Sequence, residues 1–145
     1  MTAPTWDALV PGTTAESGEL APLGQHDFVR YAGASGDFNP IHFDDEFARG
    51  AGFPSVFSQG MLQAGILATF VTDWLGAENV RQFQVQFREQ VWPGDRLACR
   101  AIVVDREERA GERRVHLEIE CTRGAGGGTA ISGRAVFVVP ETTHS

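Results

Sequence analysis

Apolar residues follow two different periods along the chain, and the change falls near residue 80. Before it they recur at three- and four-residue spacing. Phe28, Tyr31 and Ala32 share one face of a short helix, for which Asp27 is the expected N-cap. Residues 44–49 read as a second short helix, stopped by Gly50 and Gly52. Ser58 is the expected cap of a longer helix from Gly60 to Leu75. That helix is apolar almost all the way round, so it is expected to be buried rather than to lie on the surface.

From Gln82 onward the period becomes two. Phe83, Val85 and Phe87 alternate with Gln82, Gln84, Gln86 and Arg88, and Pro93-Gly94-Asp95 supplies a turn. Leu97, Cys99, Ala101 and Val103 line one face of the next strand, and Val115, Leu117, Ile119 and Cys121 repeat the pattern. The charged run 105–112 is expected to be a solvated hairpin end. Residues 124–128 read as a flexible hairpin loop and 131–139 as a fourth long strand. An irregular strand is expected near 15–21. The order is strand, short helices, one buried helix, then four antiparallel strands. A buried helix needs something wrapped around it, and a curved antiparallel sheet is the simplest wrapping. The expected class is α+β, the hot-dog fold.

The 145 residues are enough for one domain spanning 1–145, with flexible ends expected at 1–5 and 141–145. Twelve basic against nineteen acidic residues give a net charge of −7, which argues against a partner that is nucleic acid or an anionic membrane. All the basic residues are Arg, so no Lys Schiff base or phosphate-loop Lys is available. Cys99 and Cys121 sit on apolar stripes outside any CxxC pattern, which points to buried reduced thiols. The N-terminus lacks the charged and apolar regions of a signal peptide, and no apolar stretch is long enough to span a bilayer. A cytoplasmic protein is expected.

The densest polar segment is Tyr31-Ala32-Gly33-Ala34-Ser35-Gly36-Asp37-Phe38-Asn39-Pro40-Ile41-His42-Phe43-Asp44. It places a carboxylate and an imidazole five residues apart across an Asn-Pro turn, among Phe38, Ile41 and Phe43. Pro40 fixes φ and restricts Asn39, so the turn can fold Asp37 and His42 toward one point. Such a pair can hold one water and move two protons, which is what adding water across a C=C bond requires. A bland alternative, a turn-capping Asp and a satisfied core His, suits isolated residues better than this whole string. The other histidines, His26, His116 and His144, have no metal-ligand spacing, so no metal is expected. Gly124 to Gly128 precede no helix, which excludes a dinucleotide site. Val56-Phe57-Ser58-Gln59-Gly60 lacks the first Gly of a nucleophile elbow.

The string from Gly36 to Asp44 resembles the signature of the MaoC-like family of (R)-specific enoyl-CoA hydratases and 3-hydroxyacyl-thioester dehydratases. Phe53-Pro54 followed by Gln59-Gly60-Met61-Leu62 resembles the family's second block. The resemblance implies (R)-specific hydration of trans-2-enoyl thioesters, or the reverse dehydration, in fatty-acyl, polyketide or steroid side-chain metabolism. It implies Asp37 and His42 as the catalytic pair and the Gly60 N–H as an oxyanion donor, a role that a helix N-terminus suits on physical grounds too. Asn39, Ser35, Phe38, Gln59 and Met61 are expected at the substrate site, with Asn39 also orienting the loop. Gln59 stands where the family commonly has His. No cofactor is expected beyond the acyl-CoA or acyl-carrier-protein substrate. A homodimer or a heterodimer with a related subunit should cover the sheet edges and the mouth of the site. Arg81, Arg88, Arg96 and Arg100 are the candidates for the carrier's phosphates or acidic surface. The rival readings are a non-catalytic subunit of a heterodimer and a hot-dog acyl-thioesterase.

Overall fold

The computed structural model describes residues 2–124 and 127–141. A short strand β1 (Thr14–Glu19) leads to helix α1 (Gln25–Ser35), a 3₁₀ turn at Pro40–His42 and the short helix α2 (Asp45–Gly50). Helix α3 (Gly60–Leu75) follows. Four strands then complete the chain: β2 (Val80–Phe87), β3 (Ala98–Arg109), β4 (Glu112–Thr122) and β5 (Thr129–Val138). They form one five-stranded sheet in the order β1-β3-β4-β5-β2, antiparallel at every pairing. This is the α+β hot-dog arrangement, with α3 across one face of the sheet.

The period of two decides which residues meet α3. Cys99, Ala101, Val103, Val115, Leu117, Ile119, Cys121, Ile131 and Phe137 are buried on the inner face and pack with Leu67, Val71 and Leu75 of the helix. Each fully buried Leu or Val of this kind contributes roughly 1.5–3 kcal/mol. Gly133 lies so close to the β2 backbone at Gln84 that a Cβ there has no room. This lets β5 carry β2 tightly on its far side. Cys99 and Cys121 face each other in register across β3 and β4, both buried and both free thiols. Hydrogen bonding to Cys99 and burial push the Cys121 thiol up.

Several local expectations need correction. The N-cap of α1 is Gly24; Asp27 instead accepts the Gly24 N–H from the third helical position at 2.8 Å. The helix continues to Ser35, further than the apolar spacing alone indicates. Helix α3 is capped by Gln59 rather than Ser58, whose hydroxyl turns to Gln63 Oε1 at 2.6 Å. It buries only one face, through Gln63, Ala64, Leu67, Val71 and Leu75, because a single sheet covers a single side. Met61, Gly65, Thr69 and Asp73 stay exposed. The run 105–112 is the hairpin end expected, with β3 reaching Arg109, β4 starting at Glu112 and Ala110-Gly111 making the turn. Its charges pair across the two strands, which stabilises extension. The loop and tail expected at 124–128 and beyond Pro140 fall partly on 125–126 and 142–145, outside the described residues.

Candidate active site

The segment between α1 and α3 is held by short-range hydrogen bonds that its own residue types make possible. Gly36 closes α1 in the left-handed region at φ 79°, a conformation that costs glycine least. Ser35 Oγ donates to Tyr31 O at 2.7 Å and accepts the Asp37 N–H at 3.1 Å, fixing how the chain leaves the helix. Asn39 Oδ1 accepts the Ile41 N–H at 3.2 Å and so caps the 3₁₀ turn that carries His42. Asp37 Oδ1 accepts the Asn39 N–H at 3.3 Å, which aims the other oxygen inward.

That oxygen, Asp37 Oδ2, lies 3.7 Å from His42 Nε2. The imidazole is buried, whereas the Asp37 side chain is 46% exposed. On its other side His42 Nδ1 meets the Phe57 carbonyl at 2.7 Å. A carbonyl only accepts, so Nδ1 carries the ring proton and neutral His42 presents a bare Nε2 lone pair to the carboxylate. At 3.7 Å the two atoms are too far apart for a direct hydrogen bond. The ring also packs edge-on against Phe57, at 5.2 Å between centroids, and Phe57 packs in turn on Phe53 and Trp92.

Phe57 links this pair to α3, since Phe57 N–H donates to Ile41 O and Ser58 N–H to Val91 O. Three residues later Gly60 opens the helix, and its N–H donates to no backbone carbonyl among the described residues. Free amides at a helix start attract negative charge. A Cβ on Gly60 would stand 3.1–3.2 Å from the ring of Phe87, so this aromatic lies against the helix start. The expected pocket residues Phe38 and Met61 are exposed by 62% and 59%, and Phe87 by 58%.

Gln59, also expected to line the substrate site, is not exposed with them. It is 1% exposed, and its Nε2 donates to the Phe28 carbonyl at 2.8 Å. Its Oε1 is buried without a partner among the described residues, which costs roughly 1–3 kcal/mol.

The four arginines proposed for the carrier do not come together. Arg81 is bound to Glu112 at 2.8 Å, and Arg100 pairs with Glu16 at 3.3 Å. Arg88 donates to Ser132 Oγ at 3.0 Å, and Arg96 lies exposed ahead of β3. Arg88 and Arg100 line a cavity of about 850 Å³ on the sheet face turned away from α3, together with Gln84, Glu118, Glu120 and Arg134. The period of two puts them there, opposite the helix start. Phe57 and Phe87 are neighbours of the candidate site that the spacing of polar residues misses. Phe57 acts through a backbone carbonyl, which no side-chain pattern reports. Phe87 shares the inward alternation of Phe83 and Val85, and that signal could have placed it near α3.

Among the described residues no helix is long and apolar enough to cross a membrane, and no group of three His, Cys, Asp or Glu could hold a metal ion.

Comparison with known proteins agrees with the fold and the motifs. The family model described as the MaoC like domain matches residues 8–124. The mitochondrial 3-hydroxyacyl-[acyl-carrier-protein] dehydratase of Arabidopsis thaliana is 29% identical over 85% of this chain and 74% of its own. The 3-hydroxybutyryl-CoA dehydratase of Methylorubrum extorquens is 30% identical over 82% of this chain and 74% of its own. Several further relatives are much longer chains, of which this one spans 3–9%. Among solved structures, the (R)-hydratase of A. caviae involved in PHA biosynthesis superposes with a TM-score of 0.78 at 25% identity, covering 92% of this chain and 98% of that one. The chain belongs to the MaoC-like family of hot-dog-fold dehydratases and hydratases, and is a hydro-lyase.

Proposed function

We propose that the chain adds water to a trans-2-enoyl thioester to give the (R)-3-hydroxyacyl thioester, and catalyses the reverse dehydration. The observation that carries this reading is the facing of His42 Nε2 and Asp37 Oδ2 at 3.7 Å, with Nδ1 committed to Phe57. Both facing atoms are acceptors, and a water molecule has two O–H donors. One water bonded to both would turn its oxygen lone pair toward substrate.

The steps balance with the groups at hand. Water gives a proton to His42 Nε2 as its oxygen forms the bond to C3. The C2=C3 electrons move toward the thioester carbonyl, whose oxygen takes the developing negative charge and is held by the Gly60 N–H. The Asp37 carboxylate stabilises the imidazolium so formed. His42 then returns the proton to C2 as electrons flow back from the oxygen. Hydroxyl and proton arrive on one face, so addition is syn. Every proton and electron pair is accounted for by water, substrate and protein, and the scheme calls for no cofactor and no metal.

The R configuration is supported by the name of the A. caviae relative. The two dehydratases named above act on different carriers, one on acyl-carrier protein and one on CoA. Both carriers therefore belong in the test. Incubation with trans-2-butenoyl and longer enoyl thioesters of CoA and of acyl-carrier protein should give loss of enoyl absorbance and an R product, without free thiol. Thiol release without hydration would make the chain a thioesterase, and inactivity on every thioester would contradict the reading.

The same reading includes a second hot-dog subunit, a copy of this chain or a related one. Among the described residues strand β2 pairs only with β5, which leaves its other edge open, and Phe38, Met61 and Phe87, the last residue of that strand, are exposed. A partner along that edge would satisfy the strand and close the site. Sedimentation of the active protein should show at least a dimer; a fully active monomer would contradict this.

A further inference from the structure

Gln59 is a puzzle that the proposed chemistry leaves unsolved. It occupies the N-cap of α3, yet its side chain makes no capping bond to the helix. It turns instead into the interior, where it is 1% exposed, and its Nε2 reaches the Phe28 carbonyl at 2.8 Å, thirty-one positions earlier in the chain. The orientation of the amide is not arbitrary. The Phe28 oxygen can only accept, so the NH₂ group must face it and Oε1 must be the atom left without a partner. A buried acceptor with no donor lowers stability. A side chain of similar size without polar atoms, such as Met, would fill the space and avoid that cost. Stability therefore does not account for an amide here, and its one good bond must matter for another reason.

The two ends of that bond show what the reason is. Phe28 is fully buried in α1, the helix that runs to Gly36 and delivers Asp37. Gln59 directly precedes Gly60, whose N–H opens α3. The bridge thus ties the element carrying the carboxylate to the element carrying the amide donor.

We propose that Gln59 is a positioning residue. Its bond to Phe28 sets the spacing between the Asp37/His42 pair and the Gly60 N–H, and so determines whether water and thioester carbonyl are engaged together. The inference rests on the reading of Gly60 as the oxyanion donor. The geometric demand is steep, because small misplacements of reacting groups are amplified in rate.

Three variants test it, each measured for kcat and KM on a trans-2-enoyl thioester and for thermal unfolding. Gln59→Met removes the donor while keeping the volume. It is expected to unfold at or above the wild-type temperature, to keep KM within about threefold and to lose about tenfold or more in kcat. Gln59→His restores a ring N–H donor and is expected to recover most of that kcat. Gln59→Glu sets a carboxylate against the carbonyl and is expected to be at least as slow as Gln59→Met. Wild-type kcat in Gln59→Met would overturn the proposal. So would a loss carried by KM alone, or a Gln59→His no better than Gln59→Met although folded. If Gln59→Met does not fold, a folded Gln59→His with kcat equal to that of Gln59→Glu overturns it in the same way. Failure of the underlying reading shows separately, as wild-type protein that hydrates no enoyl thioester.

Discussion

His116 Nε2 lies 3.0 Å from Glu107 Oε1, in a pair whose side chains are both about a third exposed, whereas His42 Nε2 lies 3.7 Å from Asp37 Oδ2 with the imidazole buried. The first pair belongs to the long β3–β4 hairpin, where charges are spent on each other. Arg113 pairs with Glu108, Arg106 covers the ring of Trp6, and Arg81 and Arg114 both grip Glu112. Those two guanidinium groups hold the Glu112 carboxyl at about 2. The second pair is anchored at its outer ends, by Asn39 N–H on Asp37 and the Phe57 carbonyl on His42, while its inner atoms are held short of each other. A carboxylate beside an imidazole is therefore not a site in itself. What distinguishes the two is which atoms are already used: the hairpin pair has satisfied its inner atoms on each other, and the loop pair has not.

The comparison is broken most forcefully at the loop pair. His42→Gln and Asp37→Asn are each expected to lower hydration by at least ~10²-fold with the fold retained, as loss of an acid–base group does. The matching changes His116→Gln and Glu107→Gln should leave turnover within about twofold. Initial rates on an enoyl thioester, with circular dichroism to confirm folding, check all four. A hairpin variant as damaged as a loop variant would erase the distinction.

A smaller effect is expected at the helix start. Gly60→Ala introduces a Cβ at 3.1–3.2 Å from the Phe87 ring, closer than the ring can stay without shifting. Helix propensity favours Ala, so the unfolding temperature should not fall. The displaced ring and amide should cost about tenfold in kcat, and Gly60→Ala combined with Phe87→Leu should recover part of it. Ser35→Ala is milder still. It removes the acceptor for Asp37 N–H, worth about 0.5–1.5 kcal/mol, and should slow turnover by about threefold to tenfold, read as kcat at saturating substrate.

The smallest effect is on the hairpin and concerns pH. The folded-state value of Glu112 is depressed, so its stabilising contribution is present above the unfolded carboxylate value near 4.5 and is lost as pH falls toward about 2. Glu112→Gln should flatten the dependence of unfolding temperature on pH across that window while leaving activity at neutral pH unchanged. The group is solvent-exposed, so the change should also shrink with added salt.

These contrasts bear on how much the sequence reveals. The period of two places the buried residues correctly at Leu97, Cys99, Ala101 and Val103 and at Val115, Leu117, Ile119 and Cys121, because one buried face leaves these strands no choice of register, whereas in β5 Ala135, Val136 and Phe137 are all buried. The facing of Asp37 and His42 is legible in the string because a turn of fixed φ brings the two side chains together locally. Long-range features are less legible. Alternation says nothing of strand order, so β1 beside β3 and β2 at the far edge emerge only from the sheet. Charged residues at 105–112 mark a solvated hairpin end, but composition does not show that strand pairing runs as far as Arg109 and Glu112. The direction of the Gln59 side chain depends on a carbonyl in another helix, and the role of Phe57 depends on its own backbone oxygen. Arg88 and Arg100 face away from the helix start for the same reason that their neighbours face toward it.

The central claim is that Asp37 and His42 act on one and the same water, and the rate of the doubly substituted protein tests it most directly. Hydration of a trans-2-enoyl thioester is followed for the wild type, for Asp37→Asn, for His42→Gln and for the two together, all confirmed as folded. Groups that serve a single proton-transfer event are strongly non-additive, so the combined variant should be no more than a few-fold slower than the slower single variant. If the two losses multiply, the residues act independently and the shared water is wrong; if either folded single variant turns over like the wild type, the pair does not carry the reaction.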